Sequence, residues 1–298
     1  MIYLLVAVSV IVLLSLVPIS VVLVGPRMLL MPDRRNPAYY RNLLGFSHPS
    51  ELGMHYEDDS IVTADGYKLS YWSVDNPKCG KPRGAIIFLH GITDSKVSGL
   101  NYAKELAGLC QNIYLIDMRR HGESEGRYCT YGYYEKHDVV RLIDKISTEV
   151  PGIPIALLGT SMGAAIAIQA AAIDNRVTRV VAVAPFCDLF SIALDHEFRH
   201  IGVRNKLLLR YVLRRAERIA HFDASEVSPA NAIKNIRVPV LIVHGEKDRT
   251  VKKQYPQKLA ELGAEAELLT IKGAGHTDVL EKGGIAYIQK LSEFLGSP

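Results

Sequence analysis

Five short, unbroken apolar runs set the terms for any fold this chain can adopt: Ala85–Leu89 (AIIFL), Ile113–Ile116 (IYLI), Ile155–Leu158 (IALL), Val180–Ala184 (VVAVA) and Val240–Val243 (VLIV). A strand with one wet face alternates apolar and polar residues, whereas a strand apolar at every position has both faces covered. Segments of helical periodicity lie between most of these runs. The pattern therefore predicts an α/β chain, a mostly parallel central sheet with helices on both faces. Ala266–Ile271 fits a further strand and Asp278–Leu295 a closing helix. Ahead of the first run, Ser60–Ala64 and Tyr67–Val74 read as two strands joined by a tight hairpin at Asp65-Gly66. The rhythm breaks between Phe186 and about Asn235, a stretch too long for a loop and helical in pattern, which reads as an inserted helical cap. At 298 residues and 48% hydrophobic content, the chain has enough apolar side chains for the core such a sheet needs.

The N-terminus has a different texture. From Ile2 to Val24, 17 of 23 residues are Val, Ile or Leu and none is charged. As a helix this run spans about 34 Å, enough to cross a hydrocarbon layer of roughly 30 Å with a slight tilt. A removable signal peptide fits less well, since no basic stretch precedes the run and no small-x-small site follows it. A buried core helix is the other alternative. Residues 1–24 are thus expected to form a transmembrane anchor and residues 25–53 a juxtamembrane linker. Residues 54–298 form the main domain, with the cap at about 186–235. Arg27, Arg34, Arg35 and Arg41 follow the span, and the positive-inside bias places the main domain on the cytoplasmic side. The chain has no Asn-x-Ser/Thr sequon, and Cys79, Cys110, Cys129 and Cys187 lack paired spacing, so all four read as small, buried, reduced side chains. A net charge of +4 spread over this length argues for no nucleic-acid partner.

Gly159-Thr160-Ser161-Met162-Gly163 matches G-x-S-x-G, and it follows the run Ile155–Leu158 and precedes the small-residue stretch Ala164–Ala172. That is the strand, sharp turn and helix of a nucleophile elbow, in which the glycines permit close approach and the serine is thrust above the sheet edge. A serine needs a base on another element. His276 lies in the glycine-rich turn Gly273-Ala274-Gly275-His276 after the last strand, where it could hang over the elbow. Asp248 follows Val240–Val243 and precedes His276, giving the order Ser, Asp, His, with Asp248 orienting the imidazole. Asp188, after the preceding strand, is a rival acid. The backbone N–H groups of Met162 and Ile92 are the candidate oxyanion donors. His90 and His121, each followed by Gly, read as turn braces.

In the cap, Lys206, Arg210, Arg214 and Arg218 recur every fourth residue beside an apolar stripe of Leu209, Val212, Leu213, Ala216 and Ala220. The plain reading is a solvated face over a packed stripe. The functional one is a face turned to anionic lipid.

Six blocks carry a family likeness: His90-Gly91; Asp117-Met118-Arg119-Arg120-His121-Gly122-Glu123-Ser124; Gly159 to Gly163; Ser228-Pro229 before Val238-Pro239-Val240; His244-Gly245-Glu246-Lys247-Asp248; and Gly275-His276. From about residue 55 to the end the chain resembles the α/β-hydrolase superfamily, in the group of membrane-tethered, serine aminopeptidase-like or BEM46-like hydrolases. The resemblance implies an α/β-hydrolase fold, with Ser161, Asp248 and His276 at the catalytic positions and Ile92 and Met162 at the oxyanion positions. Position 120 is Arg where many relatives carry Gly in a D-x-R-G-H-G pattern. Activities in the group span esterases, acylglycerol lipases, thioesterases and peptidases. The expected function is a serine hydrolase cleaving acyl esters or thioesters, lipid-like ones among them, through an acyl-enzyme, with no cofactor or metal. A peptidase on the same triad is the alternative, with Glu123, Glu125 or Asp195 as possible holders of a substrate amine. A non-catalytic binding protein on the same scaffold is the other.

Overall fold

The structure is a computed structural model, and it describes Tyr3, residues 22–201 and residues 204–296. Eight strands form one sheet: β1 (His55–Val62), β2 (Lys68–Asp75), β3 (Ala85–Leu89), β4 (Asn112–Ile116), β5 (Ile155–Thr160), β6 (Val177–Val183), β7 (Val240–Gly245) and β8 (Ala266–Ile271). Their order across the sheet is β1-β2-β4-β3-β5-β6-β7-β8. β1 and β2 pair antiparallel, as do β2 and β4, while all the other neighbours are parallel. The longer helices are α1 (Pro37–Leu44), α2 (Gly99–Leu106), α3 (Glu135–Glu149), α4 (Met162–Ala171), α5 (Leu189–Ile201), α6 (Lys206–Ala220), α7 (Gln254–Leu262) and α8 (Val279–Gly296, broken at Gly284).

The unbroken apolar runs are strands covered on both faces, as expected. Ala85, Ile87 and Leu89 of β3 point to one side, into a core with Leu142 and Ile146 of α3 and Ala164 and Ile168 of α4. Ile86 and Phe88 point to the other, against Leu100 and Leu106 of α2 and Tyr287 and Leu291 of α8. Each large aliphatic or aromatic side chain buried this way contributes about 1.5–3 kcal/mol.

The hairpin is longer than expected, because β1 begins at His55 and its residues 55–59 are largely exposed. An edge strand wetted over that length carries no apolar signal. Its loop turns through Gly66 at φ +87°, closed by Thr63 N–H donating to Tyr67 O at 2.9 Å.

From β3 the chain crosses to β4 on one side and then to β5 on the other. The carboxyl ends of β3 and β5 therefore flank the crevice where strand order reverses, the usual place for a ligand in an open parallel sheet.

The expected anchor, Ile2–Val24, lies outside the described residues except for Tyr3 and Val22–Val24. Among the described residues no helix is long and apolar enough to cross a membrane. Residues 25–53, expected as a linker, are instead folded against the rest of the chain. Residues 22–30 are helical and Leu30 is fully buried, with its carbonyl accepting from Cys129 N–H at 2.8 Å. Arg34 donates to the carbonyls of Arg120 and Gly122, and the Tyr40 hydroxyl donates to Asp94 at 2.8 Å. The irregular sequence hid this because the contacts are single side chains to distant loops, with no repeating face.

The cysteine expectation also needs correction. Cys129 and Cys187 are free and buried, but Cys79 and Cys110 form a disulfide. They lie 31 residues apart, yet each sits just before a strand, and β3 and β4 are parallel neighbours with Ala85 opposite Asn112. Parallel pairing brings the two entry points together, a tertiary relation that sequence spacing does not display. A crosslink closing a loop of 31 residues stabilises by up to about 3–4 kcal/mol through the unfolded chain's entropy. Urea unfolding is expected to show the Cys79→Ala/Cys110→Ala variant less stable by that order, coinciding with wild type in reductant.

Candidate active site

At the carboxyl end of β5 the backbone of Ser161 adopts φ 52°, ψ −111°, a positive-φ conformation outside the left-handed helical region that a non-glycine residue keeps only under constraint. The constraint is visible. Ser161 N–H donates to Val183 O of β6 at 2.8 Å, and Ser161 O accepts from Ala165 N–H at 3.2 Å as α4 begins. A Cβ at Gly163 would stand 2.0 Å from Leu89 O, and one at Gly159 would stand 2.2 Å from Gly163 O. Neither atom can move away without breaking β3 or α4, so both positions require glycine.

His276 and Asp248 arrive on two loops that pack backbone to backbone. A Cβ on Gly245 would lie 2.2 Å from Gly275 O. Glu246 N–H donates to Ile271 O, Lys247 N–H to Ala274 O at 2.7 Å, and Gly273 N–H to the Glu246 carboxylate. The loops thereby bring His276 Nδ1 to 2.7 Å from Asp248 Oδ2 and His276 Nε2 to 3.0 Å from Ser161 Oγ. With Nδ1–H donating to the carboxylate, Nε2 is free to accept from the serine hydroxyl. Burial alone would raise the Asp248 carboxyl. The hydrogen bond and charge of His276, with the N–H groups of Thr250 and Val251 on Oδ1, outweigh it and hold the group below the ordinary value.

Asp188, the rival acid, is occupied elsewhere. Its two oxygens accept from Ser191 N–H and Ser191 Oγ at the start of α5. Met162 N–H opens α4, where the first N–H groups have no intrahelical acceptor. The turn Gly91-Ile92 lies against the elbow, since a Cβ on Gly91 would stand 3.5 Å from Ser161 Cβ.

Behind that turn sits a buried polar layer that includes His90, expected as a turn brace. Met118 N–H donates to His90 Nε2 at 3.0 Å, so His90 Nδ1–H donates to Gly91 O at 2.7 Å. Asp117 accepts from the backbone N–H of Lys96 and of Glu123. The Lys96 ammonium, 2% exposed, donates to Ser70 Oγ at 2.5 Å and Glu123 at 2.6 Å and lies 4.5 Å from the Trp72 ring centre. Nothing in the sequence marks a lone lysine such as Lys96 as buried. Arg120 takes φ 69°, which is the conformation glycine would favour at this position.

The cap is pinned to the loop that carries the acid. Asp195 on α5 accepts from Lys252 Nζ at 2.5 Å, the Tyr255 hydroxyl at 2.7 Å and Arg204 at 2.8 Å. Lys252 directly follows the residues whose N–H groups hold Asp248. Of the three acidic residues considered for an amine subsite, Asp195 is thus filled. Glu123 is paired with Lys96, and Glu125 accepts from Lys68 N–H.

Two outcomes follow from these contacts. Asp195→Asn keeps an acceptor for Tyr255 but loses the charge. It is expected to cost about 1 kcal/mol of stability and to lower kcat more than it raises KM, with Asp195→Ala costing more. Urea unfolding and steady-state kinetics measure both. Burial holds the His121 imidazole down at about 3, against an ordinary 6.5. Between those values the unfolded chain binds a proton that the folded chain refuses, so stability falls as pH drops through the window. Unfolding midpoints taken from pH 7 to pH 5, on the order of the acidic limb, are expected to decline less steeply in His121→Gln.

The family model described as Serine aminopeptidase, S33 matches residues 80–232. The uncharacterized protein YqkD of Bacillus subtilis is 28% identical over 246 residues, 79% of this chain and 77% of that one. Human monoglyceride lipase is 34% identical over 122 residues, 39% of either chain. The Pyrococcus furiosus esterase Pf2001 superposes with a TM-score of 0.72 at 24% identity, covering 90% of this chain and 97% of that one, which speaks to the fold. With a family model spanning half of its length and a fold shared with a solved esterase, the chain belongs to the serine aminopeptidase S33 family of α/β-hydrolases.

Proposed function

We propose that the protein is a serine hydrolase that cleaves acyl esters or thioesters through an acyl-enzyme, with Ser161 as nucleophile, His276 as general base and Asp248 as its orienting acid. The observation that carries this reading is the continuous relay of 3.0 Å from Ser161 Oγ to His276 and 2.7 Å from His276 to Asp248, set on a strained elbow. Ser161 attacks the acyl carbonyl while His276 Nε2 takes the hydroxyl proton. The carbonyl oxygen becomes an anion facing the N–H groups of Met162 and Ile92, and His276 returns the proton to the leaving group. Water then attacks the acyl-enzyme by the same route. The likeness to monoglyceride lipase over part of its length supports an ester substrate with an apolar acyl chain.

The same relay could serve an aminopeptidase, and the family's description favours that second reading. Against it, Asp195, Glu123 and Glu125 are already paired within the chain. A scaffold used only for binding has no need of the intact relay.

The reading includes a tether, with the apolar run Ile2–Val24 as a single membrane span. For orientation, four arginines after the run favour the cytoplasmic side, although Arg34 and Arg41 have folding roles, on the carbonyls of the 120–122 loop and on Glu51. The Cys79–Cys110 bond favours an oxidising compartment. Cytoplasmic placement therefore requires that pair to be reduced in cells.

Labelling with a fluorophosphonate probe is expected for wild type and absent in Ser161→Ala, with kcat/KM falling by at least about 10⁴-fold. Across a p-nitrophenyl ester series, kcat/KM is expected to rise with acyl length, and aminoacyl amides are expected to be poor substrates. No labelling of wild type would reject the enzyme reading, and labelling that survives in Ser161→Ala would reject Ser161 as the nucleophile; preferred amide turnover would select the peptidase.

A further inference from the structure

We propose that the exposed face of α6 docks on an anionic lipid bilayer beside the point where the N-terminal run leaves it, an inference that rests on reading that run as a membrane span. Lys206, Arg210, Arg214 and Arg218 are all exposed, while Leu209, Val212, Leu213, Ala216 and Ala220 on the opposite face are buried. The single acidic residue of α6, Glu217, is turned away, with its carboxylate accepting from Ala224 N–H at 3.0 Å. No salt bridge among the described residues involves any of the four basic side chains. An unneutralised row of this kind is ordinary on a solvated helix. What distinguishes this one is the company it keeps.

Leu207 is 75% exposed and Tyr211 52% exposed, placing an aliphatic and an aromatic side chain among the cations. A helix that presents cations together with exposed apolar groups matches the headgroup layer, where the charges meet phosphates and the apolar side chains reach the acyl boundary. The helix is also in the right place. Arg215, on the neighbouring face of α6, donates to Val22 O at 3.2 Å. Val22 lies at the carboxyl end of the run whose preceding residues would span the bilayer. Residues 22–30 then lean on the domain through Leu30 and leave Leu23, Val24 and Met28 exposed. Two apolar-tipped surfaces, one of them basic, thus meet at the exit point of the run. A second copy or an acidic protein would account for the charge but not for this continuity with Val22.

The docked helix belongs to the cap. The Arg210 guanidinium lies 5.8 Å from the ring centre of Phe190 on α5, and α5 carries Asp195, which holds Lys252 beside the acid loop. Adsorption of α6 therefore sets the posture of the cap, and of the Lys252 loop it holds, relative to the lipid surface.

The test uses the full chain, reconstituted into vesicles of phosphatidylcholine with or without phosphatidylglycerol. A Leu207→Cys variant carries an environment-sensitive fluorophore; Cys129 and Cys187 are buried and escape labelling. The expected result is a blue-shifted, brightened emission in anionic vesicles only, reversed by high salt. Each basic residue near such a surface strengthens adsorption about fivefold, so changing all four to Gln is expected to abolish the shift. An aqueous spectrum in anionic vesicles, with the protein still resisting carbonate extraction, overturns the docking and leaves the span standing. Extraction by carbonate overturns the span, and the docking with it. A shift that grows with protein density in neutral vesicles assigns the face to a second copy and also overturns the docking.

Discussion

Helix α4 approaches strand β3 so closely that no side chain fits between them at position 163, where a Cβ would stand 2.0 Å from Leu89 O. That approach forces the turn at Ser161 to be sharp, and the sharpness lifts Oγ above the sheet edge. It also sets the Gly91-Ile92 turn against Ser161, because β3 and β5 are neighbours with Leu89 opposite Gly159. The strain at Ser161 is sustained by the hydrogen bond from its N–H to β6 and by the packing of α4 on the buried face of the sheet. Fold and chemistry thus depend on one steric fact, the absence of a side chain where two backbones meet.

Much of this was legible in the sequence, for physical reasons. Strands apolar on both faces have few alternatives to a covered parallel sheet, and the order of Ser161, Asp248 and His276 places each after its own strand. The three residues meet at 2.7–3.0 Å because strand ends on one edge of a parallel sheet converge. What stayed hidden depends on partners far away in the chain. Lys96 is buried only because Asp117, Glu123 and Ser70 gather round its ammonium. Cys79 and Cys110 meet only because two parallel strands start side by side. Residues 25–53 lack periodicity because each of their anchoring contacts is made once.

The N-terminal segment and the cap converge on the same side of the molecule. Arg34 fastens the segment to the 120–122 loop, Tyr40 fastens it to Asp94 just beyond the Gly91-Ile92 turn, and Val22 touches α6. The cap in turn is fastened through Asp195 to Lys252 and Tyr255, which follow Asp248. The route from the N-terminal segment to Ser161 therefore runs through two sets of contacts, one reaching each side of the crevice.

The welded pair of loops at Gly245 and Gly275 has a consequence for how errors are distributed among the three groups. The loops share backbone hydrogen bonds and a contact that admits no Cβ, so Asp248 and His276 are carried on one tightly joined pair of loops. Ser161 stands apart on the β5–α4 elbow, joined to these loops through β6 by backbone hydrogen bonds and directly by the one side-chain bond to His276. The soft coordinate of the site is accordingly the Ser161 to His276 separation. Thermal motion and distant substitutions alike should express themselves there, while the spacing of acid and imidazole stays nearly constant.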